Sequence, residues 1–264
     1  MTSFSALLAA IGAAGSAYHV DIPEDWQQGR TTFGGLTAAL CLAAVERTWT
    51  DLPPLRSAQF TFVGPAGGAV EMTPRLLRRG KSSVFATVEL SAGGGLATHA
   101  ILSFNAARES QYSYRIRSAP KAPPPGTTEA FFRSGKPKFT QHFEGFVAGG
   151  QKLVSGAETP ELVVWARHRD PSAMAGLPGL IALGDTLPAA AYTMLTAPVP
   201  ASSITWSVEM IDAAAALRAP GDAWYLLRSA GEDVREGYSV QDMGLWAQDG
   251  TLIMLARQTM AIFG

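Results

Sequence analysis

The stretch of sequence that decides the fold is FGGLTAALCLAAVERT, residues 33–48. Its apolar residues recur at helical spacing, and Leu36, Leu40 and Ala44 fall on one side. Apolar residues also occupy much of the opposite side, which is typical of a helix enclosed by other parts of the protein. The pattern therefore predicts a buried helix from about Thr31 to Thr48.

Strand-like segments surround this helix in an order that repeats along the chain. Four of them follow it, and in the second half two more lead into a second predicted helix, Ser172–Leu187, which four others follow. The motif RLLR at residues 75–78 returns as YLLR at residues 225–228, at the corresponding place. The predicted strands are Ser57–Val63, Val70–Arg78, Ser83–Leu90, Ala97–Phe104, Phe139–Ala148, Glu161–Arg169, Ser203–Ile211, Ala223–Ala230, Glu236–Trp246 and Thr251–Ile262. This order predicts a duplicated α+β fold, in which pairing of the halves covers the exposed edge strand of each sheet.

A proline-rich stretch, Arg117–Pro137, separates the two halves. Consecutive prolines remove backbone donors and stiffen the chain, so we expect an exposed linker here. The sequence thus predicts a first unit over residues 1–110, a linker over 111–136 and a second unit over 137–264.

Composition excludes several classes of protein. Of the 264 residues, 47% are hydrophobic and 16% charged, which excludes a disordered chain. The formal net charge is −1 and no basic face is evident, so a nucleic-acid partner is not expected. Cys41 is the only cysteine, and the four histidines lack an HExxH pattern, so the sequence indicates neither a disulfide framework nor a metal site.

The N-terminal segment, Met1–Gly15, is apolar but lacks the positively charged start of a signal peptide. Phe4, Leu7 and Ile11 recur at helical spacing, so we predict a short helix packed on the body of the protein. No apolar run is long and clean enough to span a bilayer. These features predict a soluble cytoplasmic protein.

An ordered set of short motifs resembles one known family. Residues 26–35, WQQGRTTFGG, end in a Phe-Gly-Gly sequence at the start of the first long helix. The further motifs, in order, are PLRS at 54–57, FVGP at 62–65, LRRGKS at 77–82, WAR at 165–167 and ALGD at 182–185. Together they resemble the TesB-like acyl-CoA thioesterases over essentially the whole chain. The resemblance implies a double hotdog fold, with two antiparallel sheets that each wrap around a central helix and join side by side.

The same resemblance implies hydrolysis of an acyl-CoA substrate to a free acid and CoA, without a metal or an organic cofactor. It assigns the catalytic roles to Asp185, Ser203 and Gln258. The family's best-known members carry Thr where this chain has Ser203, and Ser lacks the methyl group that restricts the Thr rotamer. Ser202 and Thr205 lie close by in the sequence, so which of the three supplies the hydroxyl group stays open.

The chemistry of these residues supports a mechanistic hypothesis. An ionised carboxylate can take a proton from a water molecule within hydrogen-bond reach, so we expect Asp185 to be the general base. Ser203 and Gln258 would hold that water. Gly34 and Gly35 open a helix, where backbone N–H groups are unpaired, and either could polarise the thioester carbonyl.

Two alternatives to hydrolysis remain at this point. One is a hotdog-type enoyl-CoA hydratase, which would pair an Asp with a His. Neither predicted helix contains a His, and His168 comes just before the second one, so this alternative has less support from the sequence. The other is a non-catalytic acyl-CoA or fatty-acyl binding module, which a solvent-facing Asp185 or an outward-facing Gln258 would favour. Exposed sheet edges are compatible with a homo-oligomer, and the sequence leaves the length and type of the acyl chain open.

Overall fold

The computed structural model describes residues 1–133 and 135–263, and it shows a mixed α/β fold built on a large antiparallel sheet. Within these residues the strands are β1 (Gly12–Ala14), β2 (Ala17–Ile22), β3 (Gln27–Gln28), β4 (Thr31–Thr32), β5 (Leu55–Phe62), β6 (Gly68–Arg79), β7 (Ser83–Ala92), β8 (Gly95–Asn105), β9 (Phe143–Gly150), β10 (Glu161–His168), β11 (Ala201–Met210), β12 (Tyr225–Arg235), β13 (Tyr238–Ala247) and β14 (Leu252–Ile262). The α-helices are α1 (Phe4–Ala9), α2 (Gly34–Thr48), α3 (Leu177–Gly184) and α4 (Ala213–Arg218). Short 3-10 turns cover Glu24–Trp26, Lys138–His142, Pro171–Ala175 and Ala190–Thr193.

In the part of the chain described, twelve strands form one continuous sheet in the order β1-β2-β6-β7-β8-β5-β11-β14-β13-β12-β10-β9. Neighbouring strands are antiparallel throughout it. The halves meet where β5 pairs with β11, with Thr61 opposite Thr205 and Ser57 opposite Glu209. The two sheets expected to join side by side do so through this pairing and form one continuous sheet, which satisfies the edge strand of each half with hydrogen bonds.

The hydrophobic core lies between this sheet and the two central helices. In α2 the residues Gly35–Val45 are all buried, and the helix packs against β6, β7, β8 and α3. The predicted enclosed helix is therefore confirmed, and it begins at Gly34 rather than at Thr31. Its N-cap residue, Phe33, makes no side-chain hydrogen bond to the first turn, which leaves the backbone N–H groups there available to other partners.

The second predicted helix, Ser172–Leu187, is wrong in its extent. A 3-10 turn occupies Pro171–Ala175, Gly176 is extended (φ −154°, ψ 170°), and α3 covers only Leu177–Gly184. Gly176 favours a break because glycine loses the most conformational freedom in a helix, and Pro178 is tolerated because it lies in the first turn of α3, where its missing N–H has no intrahelical partner. Asp185 consequently lies at the C-terminal cap of a short helix.

The strands predicted around the two helices are present, but the sequence missed the hairpin of β1 and β2. Its residues, 12–22, show little alternation: only Val20 and Ile22 among them are buried. Gly15 lies in the turn with a φ of +61°, a conformation that favours glycine. The short N-terminal helix is confirmed as α1, with Phe4 and Leu7 buried.

The predicted linker, residues 111–136, has no helix or strand in its described part apart from one isolated bridge at Ala130. Ser134 lies outside the described residues. The segment is not wholly exposed: Arg117 Nη1 donates a 2.6 Å hydrogen bond to Asp242, and Trp165 Nε1 donates one of 2.7 Å to the carbonyl of Pro123. It therefore runs along the second half of the sheet. Within the described ranges, none of the helices has the length and hydropathy needed to cross a bilayer.

Candidate active site

The Asp185 carboxylate lies where the end of α3 meets the start of α2. It is 7% exposed. A methyl group added at Gly34 would come within 3.0 Å of Asp185 Oδ2 and 3.3 Å of the Phe62 ring. The absence of a side chain at Gly34 thus lets the first turn of α2 approach the carboxylate closely.

Gln258 links Asp185 to a hydroxyl group. Its Nε2 donates hydrogen bonds to Asp185 Oδ1 at 2.9 Å and to Ser203 Oγ at 3.1 Å. Ser202 and Thr205 are both exposed, and the Ser202 hydroxyl donates to the backbone carbonyl of Ser203 at 3.4 Å. Of the three hydroxyl residues left open by the sequence, Ser203 is the one bonded to Gln258, the residue that also bonds the carboxylate.

A β-bulge in β11 explains why Ser203 points inward. Trp206 and Val208 alternate on the buried face of this strand, so regular alternation would place a residue three positions before Trp206 on the opposite face. The register of β11 with β14 shifts between Ser203 and Thr205. The extra residue turns Ser203 onto the buried face, where it lies opposite Met260.

The environment of Asp185 changes its protonation. Burial raises the pKa of Asp185 to about 7, while the hydrogen bond from Gln258 and one from the backbone N–H of Gly35 act in the opposite direction. Loss of hydration therefore outweighs the two donors. A carboxyl group with a pKa of about 7 exchanges its proton near neutral pH, which suits a group that accepts a proton and then gives it away.

The two glycines at the start of α2 differ in their surroundings. The N–H of Gly35 donates to the Asp185 carboxylate, and a methyl group at Gly35 would lie 2.5 Å from the Phe33 ring and 2.9 Å from the carbonyl of Ala182. Gly35 is thus needed for close contact between α2 and α3. Gly34 is the first residue of the helix, so its N–H has no intrahelical acceptor.

Sequence reasoning missed Gln241, which extends the cluster. Gln241 is 0% exposed; its Nε2 donates to Gln258 Oε1 at 2.6 Å, and its Oε1 accepts from the backbone N–H of Ala190 at 2.8 Å. A signal was available, because Gln241 is in phase with the apolar residues Met243 and Leu245 on β13. A polar residue in the inward phase of a strand predicts a buried hydrogen-bonding partner.

His168 lies apart from this cluster. Its Nε2–H donates to the carbonyl of Gly179 at 2.8 Å, and its ring packs on those of Phe4 and Phe143. Burial lowers the pKa of His168 to about 4, so the imidazole is neutral. Among residues 1–133 and 135–263, no three potential His, Cys, Asp or Glu ligands form a metal-binding group.

Taken together, a long antiparallel sheet packs on two buried helices, and a buried carboxylate lies where those helices meet. This arrangement is that of a hotdog fold. Residues 22–105 match the family model of the acyl-CoA thioesterase N-terminal domain, and residues 117–262 match that of the C-terminal domain. The chain belongs to the acyl-CoA thioesterase family, as a TesB-like thioester hydrolase.

Solved structures similar to this chain show the same fold. A conserved hotdog-fold protein from Alicyclobacillus acidocaldarius is 23% identical with a TM-score of 0.89, over 98% of this chain and 97% of that one. TesB2, an acyl-CoA thioesterase II from Mycobacterium marinum, is 18% identical with a TM-score of 0.74, over 97% and 96%. A TesB protein from Mycobacterium avium subsp. paratuberculosis is 17% identical with a TM-score of 0.78, over 99% and 100%. A search of curated protein sequences gave no significant match.

Proposed function

We propose that this protein hydrolyses acyl-CoA to a free acid and CoA, with Asp185 as the general base. One observation carries the proposal: the buried Asp185 carboxylate shares the Gln258 amide group with the Ser203 hydroxyl, beside the start of α2. The three side chains assigned by family resemblance lie far apart in sequence. Their hydrogen bonding in one cluster supports a common role.

The proposed reaction needs only a water molecule and the thioester. Asp185 Oδ1 accepts from Gln258, which leaves Oδ2, the oxygen beside Gly34, to take a proton from the water. The water oxygen forms a bond to the carbonyl carbon, and the carbonyl oxygen becomes negatively charged. The N–H of Gly34 stabilises that charge. The carbon–sulfur bond then breaks, and the CoA thiolate takes the proton back from Asp185.

We infer a role for Gln258 that differs from the one expected from the sequence. Both hydrogens of its amide group are directed at protein atoms, one at Asp185 and one at Ser203. In this proposal Gln258 therefore orients the base and the hydroxyl group, and Ser203 Oγ contacts the water. Because Ser203 Oγ accepts from Gln258, its own hydrogen remains free to donate to the water oxygen.

We further interpret residues 1–110 and 137–264 as two hotdog units joined by a linker over 111–136. In this arrangement the first unit supplies the backbone donors at the start of α2, and the second supplies the catalytic side chains. Neither unit would hold the complete site, since Gly34 and Asp185 come from different units. The junction of β5 with β11 would keep the two parts in register.

The alternatives have less support from the geometry. A hydratase would need an imidazole group near the carboxylate, whereas His168 is bound to the carbonyl of Gly179 and its pKa is lowered by burial. A simple binding module would gain little from a buried carboxylate, which costs free energy on desolvation. A solvent-facing Asp185 or an outward-facing Gln258 would have favoured the binding module, but both residues face the interior.

The test is an assay of thiol release from acyl-CoAs of several chain lengths and types. The native protein should release CoA from at least part of this series, and Asp185→Asn should lower kcat by roughly 10³-fold because the base is removed while its shape is kept. Asp21→Asn, at an exposed position on β2, is the matched control and should retain native activity. Full activity of a folded Asp185→Asn variant would place the base elsewhere. Tight binding without thiol release by the native protein would favour the binding module.

A further inference from the structure

Gln241 has no assigned role in thioester hydrolysis, yet it is fully buried and makes two hydrogen bonds to nitrogen and oxygen atoms next to the candidate site, besides a longer one from Nε2 to the Met243 sulfur at 3.7 Å. We propose that Gln241 is a positioning residue, which determines the end of the Gln258 amide group that faces Asp185. This inference rests on the proposed function for its catalytic consequence. The hydrogen-bond geometry on which it depends is independent of that function.

The argument begins at the backbone N–H of Ala190, because an N–H group can only donate. It lies 2.8 Å from Gln241 Oε1, which fixes the oxygen of this amide at that end. The nitrogen of Gln241 must then face the other way, and it donates to Gln258 Oε1 at 2.6 Å. The two ends of an amide group have nearly the same shape, so its partners decide its orientation.

The same rule fixes the next residue in the chain of bonds. With its oxygen held by Gln241, Gln258 turns its nitrogen toward Asp185 Oδ1 and Ser203 Oγ. The three hydrogen bonds therefore all run in one direction: Ala190 donates to Gln241, Gln241 to Gln258, and Gln258 to Asp185. Ala190 lies in a 3-10 turn that packs against β10 and β12, so the sequence of bonds starts from a fixed point.

Without Gln241, the amide group of Gln258 could turn over. Its oxygen would then face Asp185, and two acceptors would oppose each other whenever the carboxylate is ionised. A protonated carboxyl group could donate to that oxygen, so the turned-over state favours the form that cannot act as a base. Gln241 thus keeps a donor at Asp185 and favours its ionised form.

The other groups at the carboxylate do not compensate for this loss. Gly34 and Gly35 of α2 and Phe62 of β5 surround it, and none of them is ionisable. Among the described residues, no charged side chain contributes to the pKa shift of Asp185. Protonation of Asp185 should therefore respond directly to the orientation of Gln258.

Two variants remove the proposed positioning of Gln258 by Gln241 in different ways. Gln241→Met keeps the length of the side chain and removes both hydrogen bonds. Gln241→Asn keeps an amide group but is one methylene shorter, so it cannot reach both the N–H of Ala190 and Gln258 Oε1. Leu245→Met is the matched control, since Leu245 is a buried inward residue on β13 without a hydrogen-bonding side chain, and the substitution roughly conserves volume.

We expect kcat of Gln241→Met to fall roughly 10- to 100-fold with a small change in KM, because the base is displaced and less often ionised. The pH at half-maximal kcat should rise, and by more than in the control. Thermal unfolding of each variant establishes that it is folded. If Gln241→Met does not fold, Gln241→Asn carries the same expectation, since its shorter amide group cannot bond Ala190 and Gln258 at the same time.

A second measurement does not depend on activity. In protein labelled with ¹³C at the aspartate carboxyl carbon, NMR titration follows the protonation of Asp185, and Asp185→Asn identifies its signal. Its midpoint should rise by at least about half a pKa unit in Gln241→Met through loss of an oriented donor. If the native protein hydrolysed no acyl-CoA but this midpoint still rose, the proposed function would fail and the positioning role would stand. A folded variant with native kcat, pH profile and titration midpoint would overturn the positioning role.

Discussion

The strands that meet at the centre of the sheet, β5 and β11, are irregular at matching places. The register of β5 with β8 shifts between Leu55 and Ser57, and that of β11 with β14 shifts between Ser203 and Thr205. Leu55 in the first half therefore corresponds to Ser203 in the second. Leu55 is an apolar residue that is 2% exposed.

The correspondence extends across the neighbouring strands. Two residues beyond the shift, Ala58 lies opposite Leu102, which in turn lies opposite Ala86. In the second half, Trp206 lies opposite Gln258, which lies opposite Gln241. The positions of the polar cluster thus hold apolar residues in the first half, and Leu102 and Ala86 are both 0% exposed.

This difference separates what the fold requires from what the site requires. The first half fills these positions with Leu and Ala, so the packing of helix on sheet does not need polar groups there. The second half buries two amide groups and a carboxylate at the same level, which costs free energy unless each is paired. Such a departure from an apolar core is expected at functional sites.

The largest expected effect concerns the stability of the second half. The pKa of Asp185 is raised from 3.8 to about 7, so the native protein is more stable with Asp185 protonated. This contribution is complete below pH 3.8 and is lost as the pH rises to about 7. The loss amounts to roughly 4 kcal/mol, and Asp185→Asn should avoid it.

Urea unfolding at pH 5 and pH 8 measures this effect. The advantage of Asp185→Asn over the native protein should grow by roughly 2–3 kcal/mol between these two pH values, because most of the titration interval lies between them. The exposed variant Asp21→Asn should show no such growth. An equal difference at both pH values would mean that burial does not shift Asp185 as described.

Some residues of this site could be predicted from the sequence, through motif order or strand alternation, and others could not. Asp185 and Gln258 could be carried over from motif order, and Gln258 also lies in phase with the inward residues of β14. Ser203 could not be separated from Ser202 and Thr205, because a bulge reverses the facing of residues and has no marker here such as glycine. The position of Gln241 opposite Gln258 could not be predicted, because it depends on how β13 pairs with β14 and not on the sequence of β13 alone.

The fold, like the site, could be predicted only in part from the sequence. The buried helix α2 and most strands follow from apolar periodicity. The broken second helix did not, since Leu177–Gly184 is too short to show a helical repeat clearly. Joining of the halves was expected from the need to cover their edge strands, but the register that places Thr61 opposite Thr205 was not, because these residues are distant in sequence.

The second prediction copies the polar residue into the first half. Leu102→Gln should destabilise the protein by about 3 kcal/mol, because the amide group would be buried between Ala58 and Ala86 without a partner. Leu102→Met, which keeps an apolar side chain of similar volume, should cost less than about 1.5 kcal/mol. Chemical denaturation of both variants decides the comparison. A Gln at this position as well tolerated as Met would show that the first half can also pair polar groups.

The third prediction copies the apolar residue into the second half. Gln258→Leu should lower kcat by roughly 100-fold, because Asp185 and Ser203 lose their shared donor. The pH at half-maximal kcat should rise, since the hydrogen bond from Gln258 lowers the pKa of Asp185. Steady-state kinetics over pH 5–9 tests both effects. Thr259→Ala, at the next position on β14, is the control and should keep the native profile.

The smallest expected effect is at the bulge itself. Ser203→Ala removes the hydroxyl group but leaves Asp185 and Gln258 bound to each other, so kcat should fall only about tenfold through poorer positioning of the water. Ser202→Ala removes an exposed hydroxyl on the other side of the strand and should leave kcat unchanged. The pair tests the facing that the bulge imposes. If Ser202→Ala were the impaired variant, the register shift would lie elsewhere, and the match between the bulges of β5 and β11 would no longer hold.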